Sequence, residues 1–259
     1  MAPVRISTST ASCSRTAINT VGETHEPPPE APIAGAASRL PLLRLLHIAS
    51  PALPVGAFHF SQGMEHVVEA GWINDEASAA QWIGGLAEGT LERLDLPVLA
   101  RLRNAWAADD AAGIQAWNSL LLAMRETSES RAEDRHMGAA LSKVLNDLAV
   151  PALPPELQKE DLGYAAVFAR ACACWEISAV ETLQAYAWAW AETQVLAAIK
   201  LVPLGQRAGQ RILYTLIPAV ADSVARALVL RDEDIGIRGV MQAFASARHE
   251  TQYTRLFRS

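Results

Sequence analysis

Leu42–Trp72 reads LLRLLHIASPALPVGAFHFSQGMEHVVEAGW. Leu42, Leu43, Leu45, Leu46 and Ile48 form an apolar helical pattern. Pro51 disfavours helical geometry in the residue before it, so this helix is expected to end near Ser50. Pro54 and Gly56 keep the chain turning. Ser61 is a residue type that caps helices, and Met64, Val67 and Val68 follow at helical spacing until Gly71. Helix, stiff corner, helix is the unit that this stretch predicts. Two phenylalanines, Phe58 and Phe60, and two histidines, His59 and His66, sit at or beside the corner. Such a corner suits an active-site turn or a surface that another protein reads.

The same unit recurs along the chain. Asn74 and Asp75 are caps for a helix through Trp82, Ile83, Leu86 and Leu94, and Pro97 suits the first turn of another through Trp106. Asp109 and Asp110 separate it from a helix through Ile114, Trp117, Leu121 and Met124. A further helix spans roughly Ser130–Leu148, PALPP at 151–155 is a loop, and a helix covers roughly Leu162–Glu176. Ser178 and Glu181 make the S-x-x-E capping box of a long helix to about Lys200. Pro203 and Gly205 break it. The helix from about Gln206 to Leu230 carries Pro218 as an expected kink, and a last one covers about Ile235–His249. No alternating strand pattern is visible. The reading is all-α: a single globular bundle of roughly ten helices over residues 39–259, with a flexible C-terminal tail.

With 51% hydrophobic residues, the 259-residue chain can bury one large core. A net charge of −6 argues against a sequence-independent nucleic-acid surface. No apolar run of about 18 residues occurs, which argues against a membrane-spanning helix. Cys13, Cys172 and Cys174 are too few for a disulfide framework and fit a reducing, cytoplasmic setting. Residues 1–38 are rich in Ser, Thr, Pro and Ala, include EPPPEAP at 26–32 and lack helical periodicity. They are expected to form a disordered extension.

Chemistry-bearing motifs are few. HFSQG at 59–63 departs from G-x-S-x-G and follows a proline-rich loop where a nucleophile elbow needs a strand. Cys172 and Cys174 are two apart, diverge by roughly 200° on a helix, and read as a buried thiol pair with little metal role. ETSESRAEDR at 126–135 reads as a helix start with acids at its positive pole. It also offers an alternative, a helical metal-dependent hydrolase using Glu126, Glu129, Glu133 and His136. Glu133 and His136 stand at i,i+3, but a di-metal site of that kind needs two such pairs. LVPLGQRAGQ at 201–210 is a break followed by G-x-x-x-G, and it lacks the G-K-[ST] of a P-loop. The last dozen residues place Arg248, Arg255 and Arg258 among Tyr253, Leu256 and Phe257. Those types concentrate at interface hot spots. A frayed helix end with cations near the negative pole gives the same composition.

LLRLLHIASPALPVGAFHFSQGMEH, ETSESRAEDRHMG, LVPLGQRAGQR and RHETQYTRLFRS occur in this order over roughly Leu40–Ser259. Together they resemble the UreF family of urease accessory proteins. The family's G-x-F-x-x-S-x-G-x-E falls on Gly56, Phe58, Ser61, Gly63 and Glu65. E-T-S-x-x-R falls on Glu126, Thr127, Ser128 and Arg131, and L-G-Q-x-x-G-Q on Leu204, Gly205, Gln206, Gly209 and Gln210. The resemblance implies an all-α, non-enzymatic chaperone of urease maturation, without cofactor and typically a homodimer. It implies that the chain bridges UreD (also called UreH) and the GTPase UreG for GTP-dependent nickel insertion into apo-urease. Partner binding is then expected at Pro54, Gly56, Phe58, Ser61, Gly63, Glu65, Glu126, Thr127, Arg131, Gln206, Gln210, Arg248, His249, Glu250, Tyr253, Arg255, Leu256, Phe257 and Arg258. On this reading the stiff corner presents Phe58 and Phe60, and Tyr253–Ser259 hangs free until UreD orders it.

Overall fold

Helix α1 (Ala36–Ile48) ends just before the Pro51 corner, and α2 (Met64–Glu69) ends at Gly71, which takes φ +78°. The structure is a computed structural model and describes residues 36–236 and 240–259, with side chains from Leu40 onward. The expected N-terminal extension lies outside the described residues except for Ala36–Ser38, which open α1 instead. Asp75 caps α3 (Glu76–Leu86) in a reciprocal box with Ser78: Ser78 N donates to Asp75 Oδ1 at 2.8 Å, and Asp75 N donates to Ser78 Oγ at 3.1 Å.

The expected break between α3 and the next helix is absent. A π-helical segment (Ala87–Asp95) carries the chain straight into α4 (Leu96–Ala107). Pro97 is tolerated inside this long element for an identifiable reason. It lacks the N–H that would bond the Arg93 carbonyl, and the Gly236 amide takes that carbonyl at 3.0 Å. The π segment also turns Thr90, Glu92 and Asp95 inward, where all three are buried.

The remaining helices follow their sequence signals closely, except that the last begins at Val240 and not near Ile235, where the chain leaves a short 3-10 turn (Asp232–Asp234) in non-helical geometry. They are α5 (Ala111–Met124), capped by Asp110, and α6 (Ser128–Asp147), capped by Thr127. Then come α7 (Tyr164–Cys174), α8 (Ala179–Leu201) with its Ser178–Glu181 box, α9 (Gln206–Leu228) and α10 (Val240–His249). Helix α9 runs on through Pro218, which lies on its exposed face, where water can take the freed carbonyl. No strand occurs among the described residues. The core forms around α4, whose Leu96, Val98, Leu99 and Leu102 are fully buried, and α4 lies along α7 and touches α5, α8 and α9. Trp106 fixes the α4–α7 contact by donating Nε1–H to the Ala166 carbonyl at 2.9 Å. The expected buried thiol pair is half right: Cys172 is buried, while Cys174 is exposed at the helix end. Helix α10 packs on α2 and brings the last residues of the chain to the first corner.

Candidate functional site

The corner after α1 is built as its prolines and glycines require. Gly56 takes φ +81° and leads into a one-turn 3-10 helix (Ala57–His59). Phe58 is 48% exposed, but Phe60 is buried in the core, so the corner presents one phenylalanine and not two. Gly63 takes φ +83° at the start of α2, and a Cβ there would lie 2.8 Å from Ser246 N in α10. No other residue suits both demands at once. Ser61, expected as the helix cap, has a different main partner. It is fully buried, and both its N–H and its hydroxyl donate to the main-chain oxygen of Ser259, at 2.7 and 2.6 Å.

The tail expected to hang free is instead bound back along this corner. The Glu65 carboxylate accepts the amides of Leu256 at 2.6 Å and Phe257 at 2.9 Å, and lies 3.2 Å from His249 Nε2. His249 Nδ1 lies 3.0 Å from Glu129, which also pairs with Arg255. The Arg258 amide donates to the His59 carbonyl at 2.8 Å, and Ser259 Oγ donates to Glu133 at 2.7 Å. Phe257 is buried, and Lys200 Nζ sits 5.4 Å from its ring and 5.5 Å from that of Phe58 while donating to the Phe58 carbonyl. Glu250 reaches from the end of α10 to the start of α6, accepting from Ser128 Oγ and Glu129 N. The Ser128 hydroxyl bond, above all, holds its carboxyl below the usual value. An unseated tail would leave Phe257 in water and its polar partners unsatisfied, which is why the free-tail expectation fails.

Behind the corner lies a polar interior built around Gln62 and Glu133, which the sequence offered only in other roles. Gln62, with φ +52°, donates Nε2–H to Glu133 at 2.9 Å, and its carbonyl accepts from Trp190 at 3.0 Å and Gln194 at 3.2 Å. Burial pushes the Glu133 carboxyl up to about 7, in spite of its hydrogen bonds to Gln62 and Ser259. Beside it Arg125 bridges two buried aspartates, Asp95 at 2.5 Å and Asp134 at 2.8 Å. Burial raises the Asp95 carboxyl even so, while the two carboxylates hold the guanidinium firmly charged against its own burial. Arg131 donates to the Arg125 carbonyl at 2.6 Å and fixes the turn into α6. A cavity of about 120 Å³ runs along these groups.

The expected site residues therefore separate into two sets. Ser61, Gly63, Glu65, Thr127, His249 and Phe257 are buried and hold the arrangement together, with Gly56, Arg131 and Glu250 half-buried beside them. Pro54, Phe58, Glu126, Arg248, Tyr253, Arg255, Leu256 and Arg258 are exposed. Tyr253 is completely so, and Leu256 is 68% exposed. Gln206 and Gln210 are exposed at the start of α9 and make no bond to this cluster. Lys200, just before their block, does reach it. The hydrolase alternative loses its ligand set. Glu129 and Glu133 are engaged with the tail and corner, Glu126 and His136 face outward, and no group of three His, Cys, Asp or Glu among the described residues is placed to hold a metal ion.

The model of the UreF family matches residues 73–217, more than half of the chain. A urease accessory protein UreF from Alkalilimnicola ehrlichii is 46% identical over 218 residues, which cover 83% of this chain and 95% of that protein. The chain belongs to the UreF family of urease accessory proteins. UreF proteins of Hahella chejuensis (44% identical over 220 residues, 85% of this chain and 99% of theirs) and Azoarcus sp. (48% over 229 residues, 86% and 98%) are similar to it over the same extent. UreF membership gives it an accessory role in urease maturation. No described helix is long and apolar enough to cross a membrane.

Proposed function

We propose that the exposed face made by Phe58, the end of α10 and the tail is where this UreF protein docks its partners in urease maturation. In this reading it binds UreD (UreH), bridges it to the GTPase UreG, and so supports GTP-dependent nickel insertion into apo-urease. It acts as a cytoplasmic, non-enzymatic chaperone and as a homodimer. One observation carries the reading: Leu256 and Arg258 stand in solvent on a backbone pinned from beneath by Glu65, His59 and Ser61, with Tyr253 fully exposed a few residues before them. A preformed aromatic, aliphatic and cationic face loses little entropy when it binds. Phe58 continues this face on the corner side, joined through Lys200. The test is co-purification with UreD and UreG, comparing the native chain with the double variant Tyr253→Ala, Leu256→Asp. Both side chains are exposed, so the variant should melt like the native chain and retain UreD poorly. Normal retention of both partners would remove this face from the docking surface.

A further inference from the structure

Glu133 occupies a position that the docking reading does not use. Its carboxyl is buried between the corner and the tail, accepting from Gln62 Nε2 through one oxygen and facing Ser259 Oγ through the other. Ser259 in turn holds the Ser61 amide and hydroxyl through its main-chain oxygen. A hydroxyl can accept as well as donate. A protonated Glu133 can therefore keep both contacts, donating to Ser259 Oγ while still accepting from Gln62.

The charges around it decide which form the seat favours. On its own helix Asp134 is adjacent, and from the α5–α6 connection comes Arg125. Asp95 lies beyond Arg125 on the π segment. Tyr164 of α7 and Tyr186 of α8 line the same cavity, both kept neutral by burial, and α10 adds the uncharged Gln242 and Ser246. Arg125 already serves two aspartates at contact distance, so an ionised Glu133 would be a third negative charge in a buried cluster. Farther along the tail, Glu65, His249, Glu129 and Arg255 form a separate ionisable group.

We propose that Glu133 is a positioning residue for the tail and holds it in a proton-dependent way. The carboxyl keeps its proton while the tail is seated, and loss of that proton loosens Ser259 and then the Leu256–Arg258 stretch of the exposed face. The inference stands on the seat alone and is read in the free protein, so it fails or survives independently of partner capture. Burial already pushes this carboxyl up to about 7. With an ordinary carboxyl value in the unseated state, the seating equilibrium weakens about tenfold between pH 6 and pH 8.

The experiment is amide hydrogen exchange on the full chain at several pH values, corrected for the intrinsic pH dependence of exchange. It follows the Leu256, Phe257 and Arg258 amides against core amides of α4. Protection of the three tail amides should fall about tenfold from pH 6 to pH 8, and in Glu133→Gln it should stay high across that range. A flat native profile overturns the proposal. So does an unchanged fall in Glu133→Gln, above all if His249→Gln abolishes it, which would move the switch to the histidine. Should Glu133→Gln fail to fold, carboxyl carbon NMR of the native chain decides: a Glu133 midpoint near 7 that coincides with the tail amide change supports the proposal, and one below about 5 sinks it.

Discussion

Removing the Glu65 carboxylate should release the tail. Glu65→Ala deletes the acceptor for two backbone amides, Leu256 at 2.6 Å and Phe257 at 2.9 Å, and the nearest partner of His249 Nε2 at 3.2 Å. Each buried polar group left without its partner costs about 1–3 kcal/mol, so the two amides and the histidine nitrogen amount to roughly 3–9 kcal/mol if the tail stays in place. The tail has a cheaper escape, since it can leave the corner and hydrate. Its departure gives up the burial of Phe257, about 2–3 kcal/mol for a large side chain, together with the Ser61–Ser259 contact. The loss is therefore capped near the tail's own seating energy, and roughly 3 kcal/mol is expected. For a fold of this size that corresponds to a fall in Tm of about 6–12 °C. Calorimetry gives the total, and hydrogen exchange at Leu256 and Phe257 shows whether the loss is local. A Tm within about 1 °C of native with unchanged tail protection would refute the anchoring role of Glu65.

Gly63→Ala should destabilise by about 2 kcal/mol or more, because the new methyl meets both a left-handed φ and the Ser246 amide; urea unfolding measures it. Arg125→Met leaves Asp95 and Asp134 buried without their cation and should cost about 3–5 kcal/mol at neutral pH, shrinking as the pH falls and the Asp95 carboxyl, already raised by burial, takes up a proton. The stabilising contribution of Glu133 has the opposite sense to an ordinary salt-bridged acid. The folded chain holds this proton more tightly than the unfolded one, so the contribution is complete below about pH 4.5 and is lost as pH rises to about 7. The amount is about 3 kcal/mol, and Glu133→Gln should flatten that part of the stability profile.

Helices with their own punctuation were legible in the sequence. Asp75, Asp110 and Ser178 announce starts through short-range capping, and Gly71 announces a stop, whereas Thr127 caps a helix that begins at Ser128, two residues before the expected start near Ser130. The π segment was not legible, because Pro97 reads as a helix start unless one knows that Gly236, more than a hundred residues later, serves the Arg93 carbonyl. The tail failed for the same reason. Its position beyond the last helix suggested freedom, while its seat is provided by Ser61, Glu65 and Glu133, far away in sequence. Its composition was the available clue, since Phe257 is costly to leave in water. Motif resemblance identified Glu65, His249 and Phe257 but could not tell holders from presenters, a distinction made by burial. Helical periodicity places Trp190 on a face of its helix and Gln62 falls within HFSQG, but neither signal reveals their roles, which are bonds to each other and to Glu133 across the fold.

The Ser61–Ser259 contact joins residues 198 positions apart. Contacts of such separation close late, because the intervening chain must be ordered first. During synthesis the corner leaves the ribosome early and waits, its buried serine and glutamate still facing water, while every later helix is made. The exposed face therefore forms late, once the Leu256–Ser259 stretch has been made and has slotted onto the corner. A nascent chain that stalls before that point can have most of its helices and still offer a partner nothing to grip.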